Sequence, residues 1–305
     1  MSKSYYMLLV TLVCALLGCQ IADQDKQLAS PDRLEINAMT FNIRNGLAQD
    51  GENHWEKRSH LVTETIIANN PDVIGVQEAF RFQLDVLNNA LPHYAEVGVG
   101  RAGGINDEYS AIVYRTDRFI LDKNAFGTFW LSDTPDVPSK HWGNDILRIC
   151  TWARLIDKAT GQAFYIYNTH LDHQSQLSRE KSVRLITQVI QSRSHQDPFI
   201  LMGDFNAGED NEAIEYLLGK TKDADSSPLP MLDSYRIVHP NAARVGTFNG
   251  FVGDQTGAKI DYIFVAPDVD ISDADIVTNH TNGRYASDHF AVTARIQFLS
   301  TKFNP

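Results

Sequence analysis

The run Phe199-Ile200-Leu201-Met202-Gly203-Asp204-Phe205-Asn206 constrains the chain more than any other stretch. Four apolar residues with no room for a helix, closed by Gly-Asp-x-Asn, read as a buried strand that delivers one carboxylate and one carboxamide to a rim. Glycine, aspartate and asparagine are also ordinary turn residues, so the run alone fits a strand-to-turn junction equally well. Its company separates the two readings, because several other predicted strands also end in Asn, Glu, His or Asp-His.

The first strand spans Leu34–Asn42 and is followed by a helix over Trp55–Asn69, with Leu61, Val62, Thr65 and Ile66 on one face. Pro71 disfavours helix at the residue before it. A short apolar strand, Asp72–Gln77, ends at Glu78, and a second helix covers Phe80–Leu91. Strands are expected near Tyr94–Val99, Ser110–Arg115, Phe119–Trp130, Leu147–Ile156, Ala163–His170, Lys259–Val265 and His289–Phe298. Helices are expected over Ser175–Ser194 and Asn211–Leu218, with loops at Ser132–Asn144 and Asp225–Pro230. Many strands, interspersed helices and adjacent strand pairs indicate α/β layers with mixed or antiparallel sheets rather than a doubly wound parallel sheet.

At 305 residues and 43% hydrophobic content the chain can bury a sizeable core. Lys3 and the apolar run from Tyr5 to Leu17 read as a secretory signal over residues 1–18, too short for a membrane span. Leu16-Leu17-Gly18-Cys19 resembles a bacterial lipobox, in which Cys19 carries the lipid. That implies an extracytoplasmic lipoprotein, in the outer membrane or facing the periplasm, which touches the membrane only through Cys19. Residues 19–33 are polar and aperiodic, as a tether would be, and one domain is expected over 34–300. Cys14 leaves with the signal, so Cys150, in a strand-like stretch, remains as an inert buried thiol. The net charge of −11 gives no global field for drawing in polyanions.

Polar groups collect at the ends of predicted strands: Asn42, Glu78, Asn168, His170, Asp204, Asn206, Asp261 and the pair Asp288-His289. Period-two geometry puts Asn168 and His170 on one face of their strand. Converging oxygen ligands such as Glu78, Asp288 and Asn42 suit a hard cation like Mg²⁺, which uses one or two carboxylates and keeps several waters. Asp204 would then act on water and His289 on phosphoryl oxygens, with Asp261 pairing to His289.

The ordered motifs Thr-Phe-Asn-Ile-Arg, Gln77-Glu78, Asn-Thr-His-Leu, Gly-Asp-Phe-Asn, Ile-Asp-Tyr-Ile and Ser-Asp-His resemble the endonuclease/exonuclease/phosphatase superfamily. The resemblance runs from about Leu34 to about Phe298. It implies a four-layer α/β sandwich, two packed sheets flanked by helices, with the site at one edge. It also implies Mg²⁺ or Mn²⁺ on Glu78, with Asn42 and Asp288 close by, and in-line attack by water. Asp204 would handle a proton, Asn206 would orient, His170 would contact phosphate and Asp261 would support His289. Many nucleases of the group carry an acid where this chain has Arg44, which leaves Arg44 free to meet a substrate phosphate.

Loops supply further candidate substrate contacts: Arg101, Tyr109, Trp142 and Arg148, with Asn168 on its strand end. The expected activity is hydrolysis of a phosphomonoester or phosphodiester on a small, carbohydrate-linked or nucleotide substrate, by a monomer with no evident protein partner. A nuclease and a non-catalytic ligand-binding lipoprotein are the alternatives. Asn168-Thr-His170-Leu-Asp172-His173 also resembles the His-x-His-x-Asp-His signature of metallo-β-lactamases. Asn168 stands there where zinc favours histidine.

Overall fold

Period-two burial sorts the strands into two sheets. The computed structural model describes residues 33–221 and 226–298. The expected signal, the lipid-bearing Cys19, the tether up to residue 32 and the first residue of the 225–230 loop lie outside the described residues. In chain order the elements are β1 (Leu34–Asn42), α1 (Trp55–Asn69), β2 (Val73–Ala79), α2 (Arg81–Ala90), β3 (Tyr94–Val97), β4 (Tyr109–Arg115), β5 (Phe119–Trp130), β6 (Ile149–Asp157) and β7 (Ala163–His170). They continue with α3 (Gln176–Gln191), β8 (Phe199–Asp204), α4 (Glu212–Leu217), β9 (Leu232–Asp233), α5 (Ser234–Val238), β10 (Asp261–Val265), β11 (Val269–Val277) and β12 (Ala291–Phe298).

One sheet has the order β11-β12-β1-β2-β4-β3 and the other β5-β6-β7-β8-β10-β9. Each contains one parallel pair, β1 with β2 and β7 with β8, flanked by antiparallel neighbours. The sheets are therefore mixed, as the strand pattern suggests.

Three apolar clusters define four layers. Between the sheets lie Ile36 and Ala38 of β1, Ile166 of β7, Ile200 and Met202 of β8, Ile263 of β10 and Val292 and Ile296 of β12. The alternate residues Met39, Phe41, Ile74 and Val76 face outward against Leu61, Val62 and Ile66 of α1 and Leu84 and Leu87 of α2. On the opposite side Tyr165, Tyr167, Leu201 and Phe264 pack on Val183, Ile186 and Ile190 of α3 and on Ile214 of α4. This is the four-layer α/β sandwich.

The side chain of Asn168 ties the two sheets together. Its Nδ2 donates to the carbonyls of Val76 (3.0 Å) and Ala111 (2.8 Å) in the facing sheet, and its Oδ1 accepts from Gln77 Nε2 at 2.6 Å. The substrate role expected for Asn168 is thereby corrected: the residue is fully buried and its amide is spent on the sheet interface. Asn168→Ala is expected to cost at least about 2 kcal/mol, because an unsatisfied buried polar group costs roughly 1–3 kcal/mol. Urea denaturation checks this, and an unchanged midpoint would show that the cross-sheet bonds contribute nothing.

Candidate active site

The polar rim grows directly out of the inter-sheet core. Asn42 continues the inward phase of Ile36 and Ala38, His170 that of Ile166, Asp204 that of Ile200 and Met202, and Asp261 that of Ile263. Where the strands run out, the same faces carry polar groups instead of apolar ones. Glu78 is out of phase, since Ile74 and Val76 of its strand face the helices. A register shift between Val76 and Ala79, with φ = 60° at Glu78, turns its side chain into the site. Gly203 adopts φ = 149°, and a Cβ there would lie 2.0 Å from the carbonyl oxygen of Thr169. Only glycine lets β8 approach β7 closely enough to seat Asp204 beside His170.

Asp204 is the hub. Its Oδ2 accepts from Asn42 Nδ2 at 3.0 Å and lies 3.5 Å from His170 Nε2 and 3.7 Å from His289 Nε2. Its Oδ1 accepts from the Asn206 backbone N–H at 2.9 Å. His289 Nδ1 sits 2.9 Å from Asp261 Oδ2, and Thr247 Oγ1 fixes that strand end by accepting from the N–H groups of Ile260 and Asp261.

The two histidines differ in charge for a physical reason. Burial, reinforced by Arg148 and His289, pushes His170 well below its ordinary pKa, so it is neutral. Burial works against the charged form of His289 too, but Asp261 and Asp204 outweigh it and hold the ring as imidazolium. Burial, with Asp261 next, raises the carboxyl of Asp204, and His289 opposes that rise.

Asn42 stands between the two carboxylates. Its Oδ1 accepts from the Arg44 backbone N–H (3.0 Å), so its NH₂ faces Glu78 Oε1 and Asp204 Oδ2. In this arrangement its NH₂ orients the two carboxylates, and its Oδ1 keeps one lone pair. Asp204, Asp261 and His289 bring one ligating atom each within 4.8 Å of one another. The ring nitrogen nearest Asp261 is already engaged there, so an ion pair accounts for this cluster without a metal.

A basin of about 700 Å³ opens over these groups. It is lined by Arg44, Glu78, Arg101, Arg148, His170, Asp204, Asn206, Asp288 and His289, so those expected residues converge. Arg44 is clamped by Asp50 through two hydrogen bonds of 3.0 Å and stands 3.5 Å from Asp288. Asn206 donates from Nδ2 to the Leu171 carbonyl at 3.0 Å.

Two expected contacts are corrected. Tyr109 is buried in the helix-side core under the Arg81 guanidinium. Trp142 donates to Asp133 and packs beneath Lys181, away from the basin. In the histidine-rich stretch, Asp172 is spent on the Gln174 and Ser175 N–H groups ahead of α3, and Asn168 on the sheet interface, so the zinc signature does not assemble.

Arg58 escapes sequence reasoning. Fully buried on α1, it donates to the carbonyls of Asn53, Ile43, Ala286 and Arg44, which binds the loop after Asn42 to the segment before Asp288. The available signal was an arginine at helical spacing from Trp55, Leu61 and Val62. Phe248, 51% exposed, stands on the rim in a T-shaped contact with the His289 ring, centroids 5.3 Å apart.

Residues 39–289 match the sequence model of the Endonuclease/Exonuclease/phosphatase family. An uncharacterized protein of Acanthamoeba polyphaga mimivirus is 31% identical over 219 residues, covering 69% of this chain and 79% of that protein. An endonuclease/exonuclease/phosphatase family protein from Bacteroides thetaiotaomicron superposes with a TM-score of 0.78 at 32% identity, covering 87% of this chain and 98% of that one. A mannosyl-6-phosphatase from the same species superposes with a TM-score of 0.76 at 33% identity, covering 86% and 99%. A family match over most of the length, relatives above 30% identity and a shared two-sheet fold lead to one conclusion: the chain belongs to the endonuclease/exonuclease/phosphatase family.

Proposed function

We propose that the protein hydrolyses a phosphate monoester carried on a sugar, with a divalent cation, by in-line attack of water. The carrying observation is Asp204, a buried carboxylate at the floor of a basin of about 700 Å³, with His170 Nε2 at 3.5 Å and His289 Nε2 at 3.7 Å from its Oδ2. In this reading Asp204 takes a proton from the attacking water, and the His289 imidazolium meets the charge that builds on the phosphoryl oxygens. Asp261 holds that imidazolium in place and in its charged form. His170, neutral, can donate a single hydrogen bond to phosphate without adding charge. Asn206, tethered to Leu171, orients the group next to Asp204.

Glu78 and Asp288 fit a hard divalent cation. Burial, with the charge of Glu78 adding to it, raises the carboxyl of Asp288. The two carboxylates offer only oxygen, the donor set of a hard cation, and Arg44 at 3.5 Å from Asp288 already offsets part of their charge. The family is generally dependent on divalent metal, and Mg²⁺ or Mn²⁺ at Glu78 and Asp288 would add positive charge near the transferring phosphoryl group.

The sugar leaving group is supported by the mannosyl-6-phosphatase relative. A basin of this volume suits a small ligand. The acidic chain, at −11, is poorly suited to polyanions such as DNA. The test is phosphate release from mannose 6-phosphate and glucose 6-phosphate, with duplex DNA in parallel. Release is expected with Mg²⁺ or Mn²⁺, to be lost in EDTA and restored by adding the ion back. Cleavage of DNA with no turnover of either sugar phosphate would reverse the reading, and activity that follows tightly held zinc would overturn the choice of metal.

A further inference from the structure

Beside the reaction centre the basin has a second polar wall, assembled from four separate segments. Asn45 follows β1, Arg101 and Glu108 come from the two ends of the β3–β4 loop, Arg148 precedes β6 and His173 follows β7. Glu108 is its centre. Its Oε1 accepts from Asn45 Nδ2 and its Oε2 from Arg101 Nη1, both at 2.7 Å. A carboxylate has about four acceptor positions, so each oxygen retains capacity toward the basin. Arg148, 4% exposed, places Nη2 3.1 Å from His173 Nδ1, and its Nε stands 3.6 Å from Asp172 with no hydrogen bond. A guanidinium with five donors is thus held at the wall with few of them used.

The loop that carries Arg101 and Glu108 is built to stay put. Its two ends are tied by the Arg101 N–H to the Glu108 carbonyl at 2.8 Å, and the Arg101 carbonyl accepts from Trp130 Nε1 at 2.7 Å. At Gly100 a Cβ would lie 1.7 Å from the Asn106 carbonyl oxygen, so the loop closes tightly on itself there. Asp107 fixes the Arg101 Nε at 2.9 Å. This is a rigid surface in the sense that favours selective binding.

Its charges offset one another: Arg101 is paired with both Asp107 and Glu108, and Arg148 stands 3.6 Å from Asp172. A wall balanced in this way is a poor second phosphate site. It suits a neutral group that both gives and takes hydrogen bonds, which is the chemistry of adjacent hydroxyls. We propose that Glu108, with Arg101 and Arg148, grips the hydroxyl groups of the leaving sugar and sets the preference for a polyhydroxylated alcohol. The assignment rests on the sugar-phosphate reading above and names the groups that would enforce it.

Glu108→Gln keeps shape while weakening the acceptor. Rates are compared for mannose 6-phosphate, whose leaving group carries hydroxyls, and p-nitrophenyl phosphate, whose leaving group carries none, with Mg²⁺ present. Hydrogen bonds to a charged group are worth roughly ten- to a hundredfold. The variant is therefore expected to lose kcat/KM on the sugar phosphate by about that factor more than on the aryl phosphate. Asn45 also donates its backbone N–H to Glu78 Oε2 at 2.7 Å, so a purely structural effect would pass to Glu78 and lower both substrates alike. Equal losses on the two substrates would overturn this assignment and leave the proposed function standing. Wild type that turns over the aryl phosphate and no sugar phosphate would overturn the proposed function, and the assignment with it.

Discussion

Asp204→Asn is expected to lower kcat on a sugar phosphate at least about a thousandfold while leaving the protein folded. General acid–base work contributes roughly 10²–10⁴-fold, and the substitution also removes one of the charges that hold His289 as imidazolium. The asparagine keeps the size and can keep the bond from the Asn206 N–H, but its NH₂ then faces Asn42 Nδ2 and that bond is lost. Relief of a buried charge works against that loss. Burial raises the Asp204 carboxyl, which means that the ionised form is disfavoured in the folded protein. Removing the charge relieves that cost and offsets the lost Asn42 bond, so the melting temperature should change far less than the rate. Rapid-quench measurement of phosphate release and a thermal melt test both halves. A residual rate within tenfold of wild type would remove Asp204 from the chemistry.

Period two carries most of what can be read at the rim. Asn42, His170, Asp204 and Asp261 stand in phase with the apolar residues of their own strands, so their convergence follows once the strands are assigned. The same rule misleads at two places. Asn168 is in phase with His170, but it lies one step deeper, where the facing sheet meets its amide before any substrate could. Glu78 is out of phase and reaches the site only through a bulge, which depends on the pairing of β2 with β4. Sequence alone carries no trace of that pairing.

Three elements are illegible in the sequence, β11 for its composition and β9 and α5 for their shortness. β11 contains Asp270, Asp273 and Asp275, a residue type depleted in strands. It is tolerated there because β11 is an edge strand, and charge on an edge discourages pairing with other chains. α5 is five residues long and gives no helical period to detect. Arg58 was hidden by its charge, since its value lies in four backbone carbonyls that only the folded loops bring together.

Asp233→Asn should destabilise the protein by about 3–5 kcal/mol, the usual cost of stranding one member of a buried ion pair. Lys259 Nζ lies 2.6 Å from Asp233 Oδ2 and 3.3 Å from the Tyr262 ring centroid, and its side chain is 0% exposed. Asn retains the other task of Asp233, accepting the Tyr235 N–H at the start of α5, so loss of that cap would not be the cause. The deficit should depend on pH. Burial already depresses the Lys259 pKa, and loss of the Asp233 charge depresses it further. A lysine whose folded pKa lies below its unfolded value binds more protons unfolded, so its variant gains stability as pH rises toward about 10.4, the ordinary lysine value. Urea denaturation at several pH values should show the gap from wild type narrowing in the alkaline range. Adding Lys259→Met should recover most of the loss, because a pair replaced by apolar atoms leaves no charge to bury. If the double variant is no more stable than Asp233→Asn alone, the cost lies elsewhere than in the stranded ammonium. The pair begins two residues before Asp261, so such an outcome would move attention to the Thr247 bonds that seat that carboxylate under His289.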